Sequence, residues 1–343
     1  MRVLVTGATG FIGAQLVNRL VAGGAQVRVL VRSLTRAQPL IDQGAVPITG
    51  EITDRNVVRA AVADMNIVYH LAGRLLVPGV PASDYRATHV DGTRMLVACC
   101  AELTTLKRFV HCSTTGVLGV TGDQPADEEA PFRPTNVYEA TKAEAELVVR
   151  DALQRGLPGV ILRPGLVYGP GDLHLVGFFR SILQRRFRPI GRRPVSLHPI
   201  YIDDMVDALV QCGQNTAAIG ECFNIAGREA VTLAALAATI ADAEGVTLPP
   251  GRIPLVVART AAAGGDLLPA KLRRLAPLTR TRLDFLTHSR VYNVAKAQRL
   301  LGFAAMTDLP SGIARTVTWY RQRGHLPADT TPELMTGTSH ARS

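Results

Sequence analysis

The sequence predicts an α/β fold: a doubly wound parallel sheet with a smaller, mostly helical C-terminal lobe. Three observations lead to this prediction. Apolar, β-rich runs alternate with helical patterns through the first half of the chain, which is typical of a parallel sheet covered by helices on both faces. The first apolar run turns through three glycines into a helical pattern. The length of 343 residues exceeds that of an average domain, and the alternation loosens after Gly171.

The predicted elements follow one another in a regular order. Short buried strands are expected at VLV (3–5), QVRVLVR (26–32), NIVYHLAG (66–73), RFVHCST (108–114) and GVILRPGLVYG (159–169). Helical patterns occupy the stretches 57–62, 93–102 and 138–154. Because ligands bind beyond the carboxyl ends of the strands in such sheets, the residues that follow each strand are candidates for a binding site.

The glycine-rich turn predicts a site for a pyrophosphate. Gly7, Gly10 and Gly13 form the pattern G-x-x-G-x-x-G between the first strand and the first helical pattern. Glycine permits a tight turn and a close approach of backbone to another group. A helix that begins there directs unpaired N–H groups and the positive end of its dipole at the ligand.

Composition and charge narrow the classes of function. No uncharged apolar run reaches the roughly 18 residues of a membrane span, and no leader precedes the first strand, so we expect a cytoplasmic protein without integral membrane contact. The five cysteines form no C-x-x-C pair, which predicts reduced, buried thiols. The net charge of +10 is densest in QRRFRPIGRR (184–193). No nucleic-acid-binding motif accompanies that cluster, so we expect a solvated basic surface or an anion-binding rim.

A tyrosine and a lysine are spaced for acid–base chemistry. Tyr138 and Lys142 form Y-x-x-x-K in a predicted helix, where residues i and i+4 share a face. A free phenol has a pKa of about 10; a neighbouring ammonium is expected to lower that pKa and to make Tyr138 a usable proton donor or acceptor. Thr114, with Ser113 before it, lies at a strand end, where a hydroxyl either binds a substrate oxygen or caps the strand end.

The residues after the second predicted strand favour NADP over NAD. A dinucleotide fold that binds NAD usually presents an acid to the ribose 2′-hydroxyl at this point. Here Arg32 and Arg36 stand instead, without an acid. A guanidinium suits a 2′-phosphate, whereas a solvated arginine is the alternative, so NADP and NAD both stay open.

Eight motifs in one order carry a resemblance to a known family. They are TGATGFIG, GEITD, HLAG, HVDGT, STTGVLG, YEATK, LRPGLVYGPGD and YIDDMVDAL. With them the chain resembles the extended short-chain dehydrogenase/reductase family (NAD-dependent epimerase/dehydratase) from Arg2 to about Leu326. Near the C-terminus, PLTRTRLDFLTHSRVYNVAKAQRLLGF and GIARTVTWYRQRGHL are similar to the branch of 3β-hydroxysteroid dehydrogenases and dihydroflavonol reductases.

The resemblance implies a domain organisation. An NAD(P)-binding Rossmann domain spans 1–172, an insertion at 173–198 contributes to the substrate lobe, and 199–227 returns to the Rossmann domain. Residues 228–326 form mainly the substrate lobe, and 327–343 form a flexible tail. The family often forms homodimers through a four-helix interface, which here implies the helices at 93–102 and 138–154.

The resemblance also implies roles for individual residues. Tyr138 is the acid/base residue, Lys142 holds the nicotinamide ribose and lowers the pKa of Tyr138, and Thr114 completes the catalytic set. Glu51 and Ile52 flank adenine. The implied cofactor contacts are Gly7, Gly10, Phe11, Ile12, Gly13, Arg32, Glu51, Ile52, Leu71, Ala72, Gly73, Ser113, Tyr138, Lys142, Pro164 and Val167, with Leu71 to Gly73 beyond the third predicted strand.

Some residues depart from the family pattern, and others are of types that can bind a metal ion. His89 stands where the family often has asparagine, which puts a supporting hydrogen bond in doubt, and Tyr201 stands where histidine is common. Asp203 and Asp204 lack a third ligand at suitable spacing, so they are expected to cap a helix, and no metal is expected. His70 and His111 lie within apolar strands and are expected to be core residues with satisfied hydrogen bonds.

The expected function is transfer of hydride between nicotinamide and a secondary alcohol or ketone, with a small molecule as substrate. The alternative is a nucleotide-sugar 4-epimerase with tightly held NAD, and a third reading is a non-catalytic NAD(P) sensor. A 4,6-dehydratase is disfavoured because Thr115 and Gly116 follow Thr114 in place of an Asp-Glu pair. The epimerase reading assigns a diphosphate clamp to Arg185, Arg186, Arg188, Arg192 and Arg193, assisted by Arg282 and Arg290.

Overall fold

A computed structural model describes residues 1–77, 79–122, 124–267 and 278–328. The strands are β1 (Arg2–Thr6), β2 (Gln26–Val31), β3 (Val46–Thr49), β4 (Ile67–His70), β5 (Arg108–Cys112), β6 (Gly159–Pro164), β7 (Leu166–Tyr168), β8 (Ser196–Leu197), β9 (Pro199–Tyr201), β10 (Cys222–Ile225) and β11 (Val231–Thr232). The first helices are α1 (Phe11–Ala22), α2 (Leu34–Ile41), α3 (Arg55–Val62), α4 (Ala82–Arg86), α5 (Gly92–Ala101), α6 (Val137–Gln154) and α7 (Val176–Leu183). The later ones are α8 (Ile202–Gln214), α9 (Leu233–Glu244), α10 (Leu255–Leu267), α11 (Arg280–Thr287), α12 (Ala295–Leu301) and α13 (Leu309–Gln322).

The central sheet has seven strands in the order β10-β6-β5-β4-β1-β2-β3. Every neighbouring pair runs parallel. The strand order reverses between β1 and β4, which is where a doubly wound sheet opens a crevice for ligands. The predicted fold class is therefore confirmed.

Two apolar clusters cover the two faces of this sheet. Successive residues of β1 alternate between them, as the pleat requires: Val3 and Val5 belong to one cluster and Leu4 to the other. The first cluster includes α1 and α8, and the second includes α3, α5 and α6. Helices therefore pack on both faces and leave the carboxyl ends of the strands open.

The sequence prediction missed one strand of the sheet. β3 pairs with β2, and its register places Pro47 opposite Val29. It is an edge strand without a fully buried residue, so it lacks the apolar run that marked the other strands. As a consequence, Leu71 to Gly73 follow the fourth strand of the chain and not the third.

The C-terminal part builds a smaller lobe from helices and short strand pairs. β8 pairs antiparallel with β11, and β7 pairs parallel with β9. A separate apolar cluster joins α10 and α11 through Ala258, Ala262 and Leu283, with Ile190 from the preceding loop. Of the tail assigned to 327–343, residues 329–343 lie outside the described residues.

Neither a membrane-spanning helix nor a metal site is found among the described residues. No helix among them is long and apolar enough to cross a membrane. No group of three or more His, Cys, Asp or Glu among them is arranged to hold a metal ion.

Asp204 accepts hydrogen bonds from the backbone N–H groups of Met306 (2.9 Å) and Thr307 (3.0 Å), so it ties α8 to the segment before α13.

Replacing Gly13 with alanine is expected to lower the free energy of unfolding by about 1–3 kcal/mol. A Cβ there would lie far inside contact distance of the Gly7 carbonyl oxygen, which is backbone and cannot move aside. Thermal or denaturant unfolding measures the change. Gly177→Ala is the matched control in α7, because a methyl group there meets nothing within 4 Å. Equal effects of the two substitutions would contradict this account of α1 packing.

Candidate active site

The glycine turn between β1 and α1 has the backbone geometry of an anion site. Gly7 has φ +72°, and a Cβ on it would lie 2.5 Å from the Leu71 carbonyl oxygen. Gly10 donates its N–H to the Gly7 carbonyl (3.0 Å) and caps α1 without a side chain. The first N–H groups of the helix, including those of Phe11 and Ile12, therefore have no side-chain partner at the cap. A pyrophosphate fits this turn.

The segment Leu71–Gly73 is held beside the glycine turn by a buried chain of hydrogen bonds. Ala72 donates its N–H to Thr6 Oγ1 (3.2 Å), which lies 2.8 Å from His70 Nδ1. His70 Nε2 lies 2.8 Å from Thr93 Oγ1. Burial and the charge of Lys142 lower the pKa of His70 to about 3. His70 is thus a neutral core residue with both nitrogens satisfied, as the sequence predicted.

Local capping places Tyr138 in the first turn of α6. Asn136 accepts the Glu139 N–H at 3.0 Å. The Glu139 carboxylate in turn accepts the Thr135 N–H (2.7 Å) and hydroxyl (2.8 Å), a reciprocal arrangement close to a capping box. Tyr138 is half-buried, and the nearby Thr114 hydroxyl favours the phenolate form of its phenol.

The expectation that Lys142 lowers the pKa of Tyr138 is wrong for this structure. Burial raises the pKa of the phenol to about 12, and Cys112 raises it further, while the hydrogen bond with Thr114 offsets part of the change. Desolvation disfavours the phenolate. Tyr138 is therefore protonated at neutral pH.

Lys142 lies one turn further along α6 and is buried. Its Nζ donates to the carbonyl oxygen of Cys112, the last residue of β5, at 2.7 Å. Burial lowers the pKa of this ammonium group. One of its three N–H donors is thus committed to the protein backbone, which fixes the position of the charge below Tyr138.

The two residues after β5 have different surroundings. Thr114 accepts the Gly116 N–H at 3.1 Å and begins a 3₁₀ turn over Thr115–Leu118, so it caps the strand end and also contacts Tyr138. Ser113 is buried and donates to Glu146 Oε2 at 2.7 Å. The Ser113 hydroxyl therefore belongs to the interior of the protein, not to the open side of the site.

The remaining predicted cofactor contacts are dispersed along the strand ends. Arg32 follows β2 and is exposed, and Glu51 is exposed after β3. Ile52 is buried against Gly92. Pro164 ends β6 and accepts the Thr115 hydroxyl at 2.9 Å. Val167 pairs with Ile200 across β7 and β9.

His89 connects the catalytic helix to the segment after β4. Its Nε2 accepts the Arg74 N–H at 2.9 Å, so Nδ1 carries the proton and donates to Thr141 Oγ1 at 2.8 Å. The ring meets the Tyr138 ring edge-on at a centroid distance of 5.6 Å. His89 also lies in a π-helical turn, Ala87–Asp91, a feature frequent at functional sites. Burial and the charge of Lys142 lower the pKa of His89 to about 3.

His111 differs from the sequence expectation. It lies within β5 without solvent exposure, and neither ring nitrogen has a hydrogen-bond partner among the described residues. Burial and the charge of Lys142 hold the pKa of His111 well below its ordinary value. It is a core residue, but its polar atoms are not satisfied as predicted.

A cleft of about 280 Å³ opens beside Tyr138. The sheet and α6 supply one wall of the cleft, and the C-terminal lobe supplies the other. The lining residues are Leu76, Thr114, Thr115, Gly116, Asn136, Tyr138, Glu139, Gly165, Leu166, Leu197, His198, Thr281, Asp284, Phe285, Arg290 and Tyr292. The sequence prediction missed most of the lobe residues because no local motif marks them.

Arg290 and Asp284 form an ion pair in this cleft, whereas the Glu139 carboxylate is bonded to Thr135 and forms no ion pair among the described residues. Arg290 Nη2 donates to Asp284 Oδ2 at 2.6 Å, and His288 Nδ1 lies 2.9 Å from the same carboxylate group. The five arginines assigned to a diphosphate clamp are exposed, and none of them is among the described residues that line the cleft. The epimerase prediction therefore lacks its proposed clamp at this site.

Comparisons with known proteins agree with this geometry. Residues 3–226 match the model of the NAD dependent epimerase/dehydratase family. The chain is similar to the 4-hydroxy-2-methyl-3-oxo-4-farnesyl-3,4-dihydroquinoline-1-oxide ketoreductase of Stigmatella aurantiaca, at 30% identity over 91% of this chain and 95% of that protein. It is equally similar, at 30% identity over 94% and 99%, to the UDP-glucose 4-epimerase of Mycolicibacterium smegmatis. The dTDP-glucose 4,6-dehydratase of Streptomyces venezuelae, solved with NAD bound, superposes with a TM-score of 0.76 at 25% identity, covering 94% and 98%.

Replacing His89 with alanine is expected to lower kcat by about tenfold, because the Tyr138 ring loses its neighbour and the bonds to Thr141 and to the Arg74 N–H that fix the surrounding segments are lost. His89→Asn keeps one polar contact and should recover part of the rate. Steady-state kinetics measure both variants.

The exposed His174 provides the control, and His174→Ala should leave kcat unchanged. Because His89 is neutral above a pH of about 3, His89→Asn should keep the shape of the wild-type pH–rate profile between pH 5 and 8. A His89 variant with wild-type kcat would contradict the positioning role.

Proposed function

Because this chain belongs to the NAD-dependent epimerase/dehydratase family, we propose that it is a reductase that converts an uncharged ketone with an apolar body into a secondary alcohol. The observation that carries this proposal is the protonated Tyr138 phenol beside Thr114, in a cleft where Arg290 is paired with Asp284. The family's NAD dependence makes the protein an oxidoreductase or an epimerase; the choice of reduction and of this substrate class is our inference.

Thr114 and Tyr138 line the same cleft, so the hydroxyls of both would donate to one carbonyl oxygen. Such donors stabilise the negative charge that develops on that oxygen. Because the pKa of Tyr138 is about 12, the phenol holds its proton at neutral pH and can deliver it to the forming alkoxide. Nicotinamide, when bound, supplies the hydride.

Lys142 has a supporting role in this mechanism. Its bond to Cys112 uses one of three ammonium donors, which leaves donors for a ribose hydroxyl of the cofactor. Gly7, Gly10 and Gly13 would hold the pyrophosphate at the α1 N-terminus.

The cleft supports an apolar, uncharged substrate. Leu76, Leu166, Leu197 and Phe285 contribute apolar surface, and the Arg290 charge is compensated by Asp284. A relative named as a ketoreductase of a farnesyl-bearing quinoline oxide is consistent with this class. A nucleotide-sugar 4-epimerase is the second candidate, favoured by similarity to the UDP-glucose 4-epimerase.

A homodimer is part of the proposal. α5 and α6 enclose a groove of about 520 Å³ on the protein surface, lined by apolar residues with charged ends. Leu147 in this groove is exposed. A second copy of the same two helices would cover it.

Tyr138→Phe is expected to reduce ketone turnover by about 10³-fold or more while the Kd for the cofactor stays nearly unchanged, because the ring remains and the acidic proton is lost. Steady-state rates and fluorescence titration of NAD(P)H measure the two effects. Tyr69→Phe is the control tyrosine variant, because its hydroxyl lies outside the cleft lining and has no hydrogen-bond partner among the described residues. Activity that survives Tyr138→Phe would contradict the mechanism.

The nucleotide released from freshly denatured protein separates the two candidates. A reductase exchanges its nicotinamide cosubstrate in each cycle, so the denatured protein should release little or no nucleotide. Stoichiometric NAD⁺ would instead support the epimerase and contradict the reductase.

We further propose that the cofactor is NADPH, because Arg32 and Arg36 are exposed after β2 and neither forms an ion pair within the described residues. Arg32→Gln should raise KM for NADPH by about tenfold, the loss of one charge-assisted contact, and leave KM for NADH unchanged. Steady-state titration with each cofactor measures this, with the exposed Arg2→Gln at the opposite end of β1 as the control. Equal changes for both cofactors would contradict 2′-phosphate recognition.

A further inference from the structure

Helix α10 exposes apolar side chains to solvent. Val256 is 71% exposed, Val257 55% and Leu267 87%. Val256 and Leu267 are eleven residues apart, close to three full turns, so they lie on the same side of the helix. Large apolar side chains that gather on one exposed side of a helix mark an interaction surface more often than isolated ones do.

The opposite side of α10 is fixed by packing. Ala258 and Ala262 are buried against Ile190 and Leu283 in the small cluster of the C-terminal lobe. This contact determines which side of the helix faces inward. The helix therefore cannot rotate about its own axis, and the side with Val256 and Leu267 faces outward.

A basic loop lies beside the start of this helix. Gly191 donates its N–H to the Ile253 carbonyl and Ile253 donates to the Pro189 carbonyl, both at 2.9 Å. These two bonds join the loop to the residues that precede α10. We define the arginine loop as residues 185–193. Its exposed arginines are Arg185, Arg186, Arg188, Arg192 and Arg193.

The positive charge of this surface is not compensated locally. None of the five arginines in the loop forms an ion pair within the described part of the chain, and neither do Arg252 and Arg259 near the start of α10. The polar contacts that the structure gives Arg188 and Arg252 are with backbone carbonyls, those of Pro250 and Gly191. An anionic partner would complement this charge.

We propose that the outward side of α10 and the arginine loop together bind the surface of an anionic lipid bilayer. An apolar helix side bordered by cations is the combination that binds at a membrane interface, since the apolar residues enter the headgroup region and the arginines meet lipid phosphates. The bilayer binding stands without the proposed reaction.

The surface lies close to the cleft, so binding to the bilayer would bring the cleft near substrate dissolved in the lipid. This step rests on the proposed function. Leu283 of α11 packs in the same cluster as Ala258 of α10, while Thr281 and Phe285 of α11 line the cleft. The lipid-binding helix is thus one packing layer from the substrate wall. An apolar ketone dissolved in the bilayer would reach the cleft over a short path.

Sedimentation with lipid vesicles tests the proposal on the full-length protein without substrate. The wild type should bind vesicles of equal parts phosphatidylcholine and phosphatidylglycerol, bind pure phosphatidylcholine vesicles at least about tenfold more weakly, and dissociate as salt rises. Val256→Ser combined with Val257→Ser should weaken binding by about tenfold. Arg186→Gln combined with Arg192→Gln and Arg193→Gln should do the same and reduce the salt dependence.

Matched controls use exposed residues elsewhere. Leu34→Ser with Val46→Ser, and Arg2→Gln with Arg133→Gln and Arg299→Gln, should leave vesicle binding unchanged. All variants should keep the wild-type melting temperature. Wild-type affinity in the valine variant, no binding to anionic vesicles, or equal loss in the controls would each overturn the proposal. Tyr138→Phe should bind vesicles like the wild type, which separates this test from that of the reaction.

Discussion

The buried ion pair between Glu146 and Arg163 is the contact on which the site geometry depends. Neither side chain is exposed, Arg163 Nη2 donates to Glu146 Oε1 at 2.7 Å, and Ser113 donates to the other carboxylate oxygen. Burial alone would raise the pKa of Glu146, but the bonds and charge of Arg163 hold that pKa below its ordinary value. Since removal of one partner would leave an unpaired buried charge at about 3–5 kcal/mol, α6, β6 and the end of β5 keep one relative position.

This fixed position aligns α6 with the residues at the end of β5. Glu146, Lys142 and Tyr138 are four residues apart and lie along one side of the helix. They contact Ser113, the Cys112 carbonyl and the Thr114 hydroxyl respectively. Three neighbouring residues of one strand end thus meet three successive turns of one helix. The same burial that holds the helix keeps Tyr138 protonated, so the structural and chemical requirements have a common origin.

Much of this arrangement could be predicted from the sequence because its parts are local. The glycine turn, the Y-x-x-x-K spacing and the strand ends are short patterns whose geometry follows from backbone rules. The pKa of Tyr138 could not be predicted, since it depends on burial by residues distant in the chain and not on the spacing to Lys142. Glu146 had a visible signal, the continuation of the four-residue spacing, but its partner Arg163 lies on another element. Tyr292 and Asp284 line the cleft although each lies more than 140 residues beyond Tyr138 in the sequence. No local sequence pattern indicates that they meet there.

Chemistry and substrate recognition are therefore encoded on different parts of the chain. The carboxyl ends of the strands and α6 supply a proton donor, Tyr138, whose position is fixed by buried polar contacts. Substitutions among these contacts are therefore poorly tolerated. The wall formed by α11 rests on a small apolar cluster with α10, in which side chains of similar volume can replace one another at modest cost. Substitutions in that cluster would shift Thr281 and Phe285 without touching Thr114 or Tyr138. A scaffold divided in this way can keep one proton donor while its substrate wall changes, and this chain is similar both to a ketoreductase and to an epimerase.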